Sequence, residues 1–517
     1  MKKNQVVMVY PYQGFSGTYV KHAPLALLYS ASEIVKSGYD VSIYDTRAVP
    51  GNWQLGLKEL ITDQTLCVGV SVMSGSPIKH AVSIGRFIKS LSPNVPVVWG
   101  GPHATFYPET ILRDEWSADY VISGYASKSF KDLVDCIANE SQPSAVNGVA
   151  WRDSETIRSN PDQQKTFEHI HYKDIPYHLI EDYSPYGQLD QDKRIFSMYS
   201  ALGCPYQCTF CSSPAQYKPI AGKKWTPLDH NYVVDHVEHV IEKYDANYIY
   251  FIDDDSFPRL QHVESIIDSI QDRGIQVGLG FRGARINEIQ KMSHEFLDKL
   301  ASGGTDIMHI GAECGSDRIL KMLKKNCTFD DIVQSNQKLA GHPEITAAYN
   351  FIMGLPTETL DDLKKTRDLM IRLVEDHPNC ILFQPNTFRP LPGTELYIQA
   401  QEEWGYEMPS TLEAWSEIEV EGDPITNQWY EKGMREFSNM LLIASYFVDN
   451  KIEKTTKGTT LFTKLARLIN HIYGPIAKFR LRRGISSLLF EYWIYQKVTQ
   501  FFALIQSRLM RRRASPI

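Results

Sequence analysis

The sequence predicts an α/β chain. A doubly wound, Rossmann-like domain over residues 1–140 is followed by a linker (141–194), a partial (β/α)6 barrel (195–400) and a helical region (401–517). Three observations carry this expectation. Short apolar runs alternate with amphipathic segments through the first 140 residues, and the same alternation resumes at Ile195. Pro390-Leu-Pro-Gly393 then ends it, and an aromatic-rich stretch of helical pattern follows. Buried parallel strands joined by crossover helices are the economical solution for such alternation.

In the first domain the strand-like runs are Gln5–Val9, Val41–Tyr44, Leu66–Val72, Val97–Gly100 and Tyr120–Ile122, with helical segments such as Leu25–Lys36, Ile78–Leu91 and Phe130–Ala138. Ligands of these sheets bind at the carboxyl ends of the strands. Those ends carry Gly14 and Gly17, then Ser71-Val72-Met73-Ser74-Gly75, then Gly100-Gly101-Pro102-His103, then Ser123-Gly124. Small residues there let a bulky ligand approach the backbone. Alone, these residues imply a nucleotide-like cofactor and leave its identity open; His103 either caps the following turn or faces the ligand. The next segment, with Pro143, Pro161, Pro176 and Pro185, reads as a linker that lets one domain lie over the mouth of the other.

Six strand candidates follow: Ile195–Leu202, Tyr248–Ile252, Gln276–Phe281, Asp306–Ile310, Thr346–Phe351 and Cys380–Gln384. Helix candidates between and after them include Tyr232–Tyr244, Gln261–Arg273, His294–Ala301, Phe329–Ala340 and Thr359–Glu375. Barrel enzymes place their chemistry at the carboxyl ends of the strands. After the first comes Cys204-Pro-Tyr-Gln-Cys208-Thr-Phe-Cys211. Three thiolates at this spacing can hold three irons of a four-iron cluster and leave the fourth open, whereas a closed iron–sulfur or zinc site takes four protein ligands. A zinc knuckle or three ordinary thiols is the alternative. Asp253-Asp254-Asp255 ends the second strand; desolvated carboxylates there need a cationic partner, unless the turn is solvated. The third strand ends in Arg282 and Arg285, either of which suits a carboxylate, with Arg282 at the better strand-end position. The fourth and fifth end in Gly311-Ala-Glu313-Cys314-Gly-Ser316 and Gly354-Leu-Pro-Thr-Glu358.

The three-cysteine run, with Phe210 just before its last cysteine, resembles the radical S-adenosylmethionine (SAM) superfamily. Val68–Ser74 and Val98–His103 are similar to the cobalamin-binding domain of its cobalamin-dependent members. The resemblance covers roughly residues 1–400. It implies a [4Fe-4S] cluster on Cys204, Cys208 and Cys211, with SAM on the open iron beside Phe210. Asp254 and Asp255 would meet the methionine moiety, Arg282 the carboxylate, Glu313 the SAM region and Gly354 the adenine. Cobalamin would lie over Ser71, Ser74, Gly100, Gly101, His103 and Gly124. The implied reaction is reductive SAM cleavage to a 5′-deoxyadenosyl radical, then methyl transfer to an unactivated carbon of a hydrophobic small-molecule substrate, a lipid-like molecule among the candidates. It needs an external low-potential electron donor such as flavodoxin or ferredoxin and exclusion of oxygen. Three departures stand out. The loop after the first strand lacks the Asp-x-His-x-x-Gly run that supplies a lower cobalt ligand elsewhere; Ser123–Ser127 stands where many relatives have Gly-Glu-Gly-Glu; and Cys314 replaces a serine. The first domain alternatively keeps the fold without cobalamin or takes another nucleotide. Radical cyclisation or rearrangement without net methylation is the rival reaction. A non-catalytic cobalamin or redox sensor is the rival of another class.

Past the barrel, Trp404, Trp415, Trp429 and Tyr430 fill a core or wall a substrate. The net charge of −7 hides an asymmetry: from Lys451 onward there are 6 Lys and 8 Arg against 2 Glu, so the tail carries +12 and the first 450 residues −19. The arginine clusters at 480–483 and 511–513 and the aromatics Trp493, Phe501 and Phe502 favour a helix lying on an anionic bilayer. Ile485–Ile505 is interrupted by Glu491, Gln496, Lys497 and Gln500, too polar to span one. Docking on the chain's own acidic body is the alternative; nucleic acid is not expected, because no recognised binding module accompanies the charge. Five of the eight cysteines stand singly, and no export signal opens the sequence. The expected location is therefore the cytoplasm, peripheral on the inner face of the membrane if the tail binds lipid.

Overall fold

A computed structural model of the chain describes residues 3–12, 20–49, 52–188, 192–418, 429–455 and 461–497; Gly14, Gly17, Phe501, Phe502 and the arginine run 511–513 lie outside the described residues. The first strands are β1 (Gln5–Tyr10), β2 (Val20–Lys21), β3 (Asp40–Asp45), β4 (Thr65–Ser71), β5 (Val97–Gly100), β6 (Tyr120–Ile122), β7 (Val149–Asp153), β8 (Thr156–Ser159) and β9 (Gly187–Gln188). Seven of them form one sheet in the order β3-β1-β4-β5-β6-β7-β8. β1 pairs in parallel with both β3 and β4, so the strand order reverses there and a ligand crevice opens at the carboxyl ends. A sheet covered on both faces needs continuous apolar strands, and Val6, Val7, Met8 and Val9 are all buried. Helices Leu25–Lys36 and Ser127–Ala138 cover one face, Pro77–Leu91 and Pro108–Asp114 the other.

The segment read as a linker builds structure in both domains. β7 extends the first sheet antiparallel to β6 and β8 continues it antiparallel to β7, β9 pairs with β2, and Tyr172, Tyr177 and Tyr186 join the core of the barrel. β8 escapes a sequence reading because all four of its side chains are exposed, leaving no apolar alternation to recognise.

The barrel strands are β10 (Ile195–Met198), β11 (Ala201–Gly203), β12 (Trp225–Pro227), β13 (Tyr248–Phe251), β14 (Gly278–Ala284), β15 (Thr305–Glu313), β16 (Thr346–Met353), β17 (Cys380–Leu382) and β18 (Asn386–Thr387). Six make an open parallel sheet, β10-β13-β14-β15-β16-β17, and β18 adds to the end of β16. Five helices, His230–Tyr244, Leu260–Asp272, His294–Ser302, Phe329–Ala340 and Leu360–Asp376, supply its outer layer. The expected strand Ile195–Leu202 is broken in two. Asp253, buried at the end of β13, accepts hydrogen bonds from the backbone N–H of Ser200 (2.7 Å) and Ala201 (3.1 Å) and from the Ser200 hydroxyl (2.5 Å). Those bonds draw the chain out of the parallel sheet into β11, which pairs antiparallel with β12. The three cysteines lie on the loop between them.

Beyond the barrel, residues 395–418 form a strap across the two domains. At one end Leu396 N–H donates to the Thr209 carbonyl inside the cysteine loop (2.9 Å), and Glu395 pairs with Lys324 (2.6 Å). Toward the first domain, Tyr397 and Tyr107 join hydroxyls (2.9 Å), Arg113 donates to the Ser410 carbonyl (2.7 Å), and Leu412 N–H donates to Asp114 (2.7 Å). Helices Lys432–Ser445 and Leu461–Arg483 pack on Leu360–Asp376. Among the described residues no helix is long and apolar enough to cross a membrane.

Candidate active site

The cysteine loop is pinned on two sides. Thr209 donates to the backbone carbonyls of Leu323 (3.3 Å, through N–H) and Met322 (3.1 Å, through its hydroxyl), and the strap takes its carbonyl. Cys204, Cys208 and Cys211 are free and half-buried. Among the described residues no three His, Cys, Asp or Glu side chains converge tightly enough for one ion; cysteines that bind separate irons need no such convergence. Cations sit against the loop. Arg285 Nη1 donates to Cys208 Sγ at 2.9 Å, its Nη2 to the Lys325 carbonyl at 2.8 Å, and its guanidinium lies 3.9 Å from the ring centre of Tyr206. Lys325 is buried and pairs with Glu313 at 2.8 Å. Burial opposes its charge, but the Glu313 carboxylate outweighs that and holds it above the ordinary lysine value. Glu313 is therefore anchored, in a left-handed backbone conformation (φ +64°), beside the cluster loop. A negatively charged cluster of thiolates and sulfide fits this setting of half-exposed sulfurs and apposed cations.

The three consecutive aspartates have three different placements. Asp253 is the buried backbone anchor described above, and burial raises it to about 6. Asp254 is exposed at the mouth and accepts from Ser213 (3.0 Å) and Tyr217. Asp255 is buried and turned toward Glu288; burial, and then that neighbouring carboxylate, push it well above the usual range. Glu288 in turn accepts from Tyr206 (2.6 Å) and from the Arg285 N–H (3.2 Å). Asp254 thus faces the mouth, and Asp255 buttresses the cysteine loop from behind. Gly283 (φ +77°) makes the passage possible, because a Cβ there would stand 2.5 Å from the Asp254 carbonyl oxygen.

Arg282 is exposed, and its charge reaches His22, Tyr199, Tyr250 and His309. His309 is held down to about 4 by burial and then by that guanidinium. Alternation along the strands sends Ile249, Phe251, Met308 and Ile310 into the barrel core and Tyr250 and His309 to the opposite face. There His22 from the first domain stacks on Tyr250 (5.3 Å) and His309 on Phe383 (5.1 Å). Phe210 packs at the edge of the barrel core. Gly354 gives its carbonyl to Trp429 Nε1 (3.1 Å) and its N–H to the buried Glu358 (2.8 Å), which also accepts from Tyr430 (2.8 Å). Glu358 is a staple of this loop, and burial raises it to about 7.

In the first domain Ser71 and Gly100 lie in register at the ends of β4 and β5. Nothing stands within 4 Å of where a Gly100 Cβ would be, so this strand end is open to a ligand. Gly101 (φ +101°) brings β5 so close to Val72 that a Cβ would meet its backbone at 2.9 Å. His103 is fully buried: Nδ1 bonds Ser74 (3.0 Å), the ring lies 5.5 Å from Trp415, and burial lowers it to about 4. Among the described residues, His103 Nε2 and Trp415 Nε1 are buried without a partner. Gly124 N–H donates to Thr105 (3.1 Å), and Asp162 sits where a Gly124 Cβ would go. An open strand end above unpaired polar atoms fits a large polar-edged cofactor. Sequence reasoning assigned no role to Lys325, Glu288 and Asp162, because each meets its partners across a distant stretch of chain, nor to Tyr206, which sits inside the cysteine motif but whose partner Glu288 lies 82 positions away.

A crevice at a strand-order switch, followed by a barrel whose mouth carries a three-cysteine loop, defines an enzyme with two cofactor domains in tandem. Comparison with known proteins agrees. Residues 18–134 match the B12 binding domain family and residues 198–370 the radical SAM superfamily. An uncharacterized methyltransferase of Pyrococcus horikoshii is 27% identical over 378 residues, 72% of this chain and 77% of that protein. The anaerobic magnesium-protoporphyrin IX monomethyl ester cyclase of Rubrivivax gelatinosus is 23% identical over 375 residues, covering 71% of this chain and 65% of the cyclase. The cobalamin-dependent SAM radical enzyme OxsB, solved with aqua-cobalamin, shares the fold with a TM-score of 0.68 at 17% identity, over 97% of this chain and 75% of that one. The chain belongs to the cobalamin-dependent radical SAM enzymes, and its cofactors are a [4Fe-4S] cluster, SAM and cobalamin.

Proposed function

We propose that this enzyme transfers a methyl group to an unactivated carbon of a hydrophobic small molecule. The observation that carries the reading is the tandem of B12-binding and radical SAM domains, aligned over most of its length with a protein named as a methyltransferase. When bound, the cluster supplies the electron for SAM cleavage and cobalamin supplies a transferable methyl group. The chain's residues do the rest. Cys204, Cys208 and Cys211 hold the cluster, and Arg285 and Lys325 offset its charge. Asp254, Arg282, Phe210, Glu313 and Gly354 position SAM, with Asp255 acting through Glu288. Ser71, Ser74, Gly100, Gly101, His103 and Gly124 cradle the corrin, and His22, Tyr250, His309 and Phe383 wall the substrate space. We take domain limits of 1–140, 195–400 and 401–517, with 141–194 shared between the first two. Its eight free cysteines suit a reducing cytoplasm, with a flavodoxin or ferredoxin as electron donor.

The test is anaerobic reconstitution with iron, sulfide and hydroxocobalamin, followed by SAM, a low-potential reductant and candidate substrates. S-adenosylhomocysteine formed together with 5′-deoxyadenosine, from protein retaining cobalamin, is the expected result. The Rubrivivax relative favours a second reading, radical cyclisation. In that case deoxyadenosine accumulates without S-adenosylhomocysteine. Protein with an intact cluster that cleaves no SAM would overturn both.

A further inference from the structure

We propose that the outward face of helix Leu461–Arg483 is a docking surface for an anionic lipid bilayer. Leu465, Leu468, Ile469, Ile472, Ile476 and Phe479 are all exposed, from 46% at Ile469 to 62% at Ile472. Their spacing puts them on one stripe about 21 Å long, fourteen residues at the helical rise. The opposite side of the same helix buries Gly474, Ala477 and Leu481 against the protein, so the stripe looks away from the body. Soluble surfaces seldom carry a continuous apolar ridge of this length without a partner. A second apolar set, Phe490, Trp493 and Ile494, is exposed on the helical segment just beyond, with Lys497 6.0 Å from the Trp493 ring centre.

Charge selects the occupant. Residues 461–483 contain six Lys or Arg and no Asp or Glu. Lys464 is exposed beside the stripe and Arg483 in line with its C-terminal end, where long cationic side chains extend to headgroup phosphates while the apolar face sinks among acyl chains. A second copy of the chain is a poor match. An antiparallel two-fold pairing through the stripe sets Lys464 of each copy on the same side, and a parallel one sets the two Arg483 side chains at the same end, so either brings like charges together. The surface lies ahead of Ile485–Ile505, where the sequence pattern alone placed it, because Leu461–Arg483 spreads its apolar residues between cations and shows no apolar run.

Flotation of the cofactor-loaded full chain decides the matter and reads bound protein, so its outcome is independent of the proposed reaction. The probes are vesicles of equal parts phosphatidylcholine and phosphatidylglycerol, and vesicles of phosphatidylcholine alone. The chain should float with the anionic vesicles at least tenfold more than with the neutral ones. Leu468→Glu with Ile472→Glu, both solvent-exposed, should cut that binding at least tenfold while leaving SAM cleavage in solution unchanged. Three results would overturn the proposal: no flotation of the wild type, equal binding by the double variant, or a lipid-free dimer that the same substitutions convert to monomer.

Discussion

At the residue scale, the informative atom pair is Arg285 Nη1 on Cys208 Sγ. The two residues are 77 positions apart, so cysteine spacing reveals the cluster and says nothing of the cation that tunes it. Hydrogen bonds and positive charge at a cluster sulfur favour the reduced, more negative state. Arg285→Gln should therefore lower the midpoint potential by about 59 mV, a tenfold change in a one-electron equilibrium. Arg285→Lys, which keeps the charge, should lose less. Potentiometric titration followed by electron paramagnetic resonance, on protein of matched iron and sulfide content, measures both. An unchanged potential in the glutamine variant would remove Arg285 from this role. Lys325 makes a second residue-scale case. Truncating it to alanine strands a buried Glu313, which costs about 3–5 kcal/mol, whereas Lys325→Met with Glu313→Leu should recover most of that loss. Urea unfolding of the three proteins compares them directly.

At the scale of elements, Glu358 ties the end of β16 to the C-terminal region. Burial raises it from 4.5 to about 7, so the fold favours its protonated form. Its contribution is whole below the unfolded value and is lost as pH rises through about 7. From about pH 6 to about pH 8 the wild type should lose about 1 kcal/mol that Glu358→Gln does not lose. Denaturant midpoints at the two pH values provide the measurement. The elements also mark what could be read in advance. Continuous apolar runs gave β1, β4 and the barrel strands within a few residues, because a parallel sheet buried on both faces tolerates nothing else there. The Ile195–Leu202 run misled for the same reason: apolarity continues through it, and the break is imposed by Asp253, more than fifty residues later. Three aspartates in a row likewise look equivalent in sequence, and only alternation about the end of β13 separates the anchor, the mouth residue and the buttress.

At the scale of the whole molecule, the strap determines whether two cofactor domains behave as one body. Its hydrogen bonds reach the cysteine loop through Thr209 and the first domain through Tyr107, Arg113 and Asp114, so the cluster and the cobalamin crevice share a common tie. Other links, β2 with β9, Ser197 with His22 (2.8 Å) and Tyr186 with Asp45 (3.1 Å), do not run through the strap. Trp415 is the strap's main apolar anchor, 1% exposed and packed on His103 and Tyr107. Trp415→Ala should cost about 3–5 kcal/mol as a core truncation. Its effect should also be lopsided. The first domain loses the cover over His103 while the cysteine loop keeps its bonds to Leu323 and Met322. Cobalamin retained after gel filtration should fall several-fold, and iron content should stay at the wild-type level. Calorimetry of the variant should resolve two transitions where the wild type shows one, since the lost contact is the one that makes the unfolding of either domain expensive for the other. Parallel loss of iron and cobalamin in a single transition would mean that β2–β9 and the His22 and Asp45 contacts, and not the strap, couple the two halves.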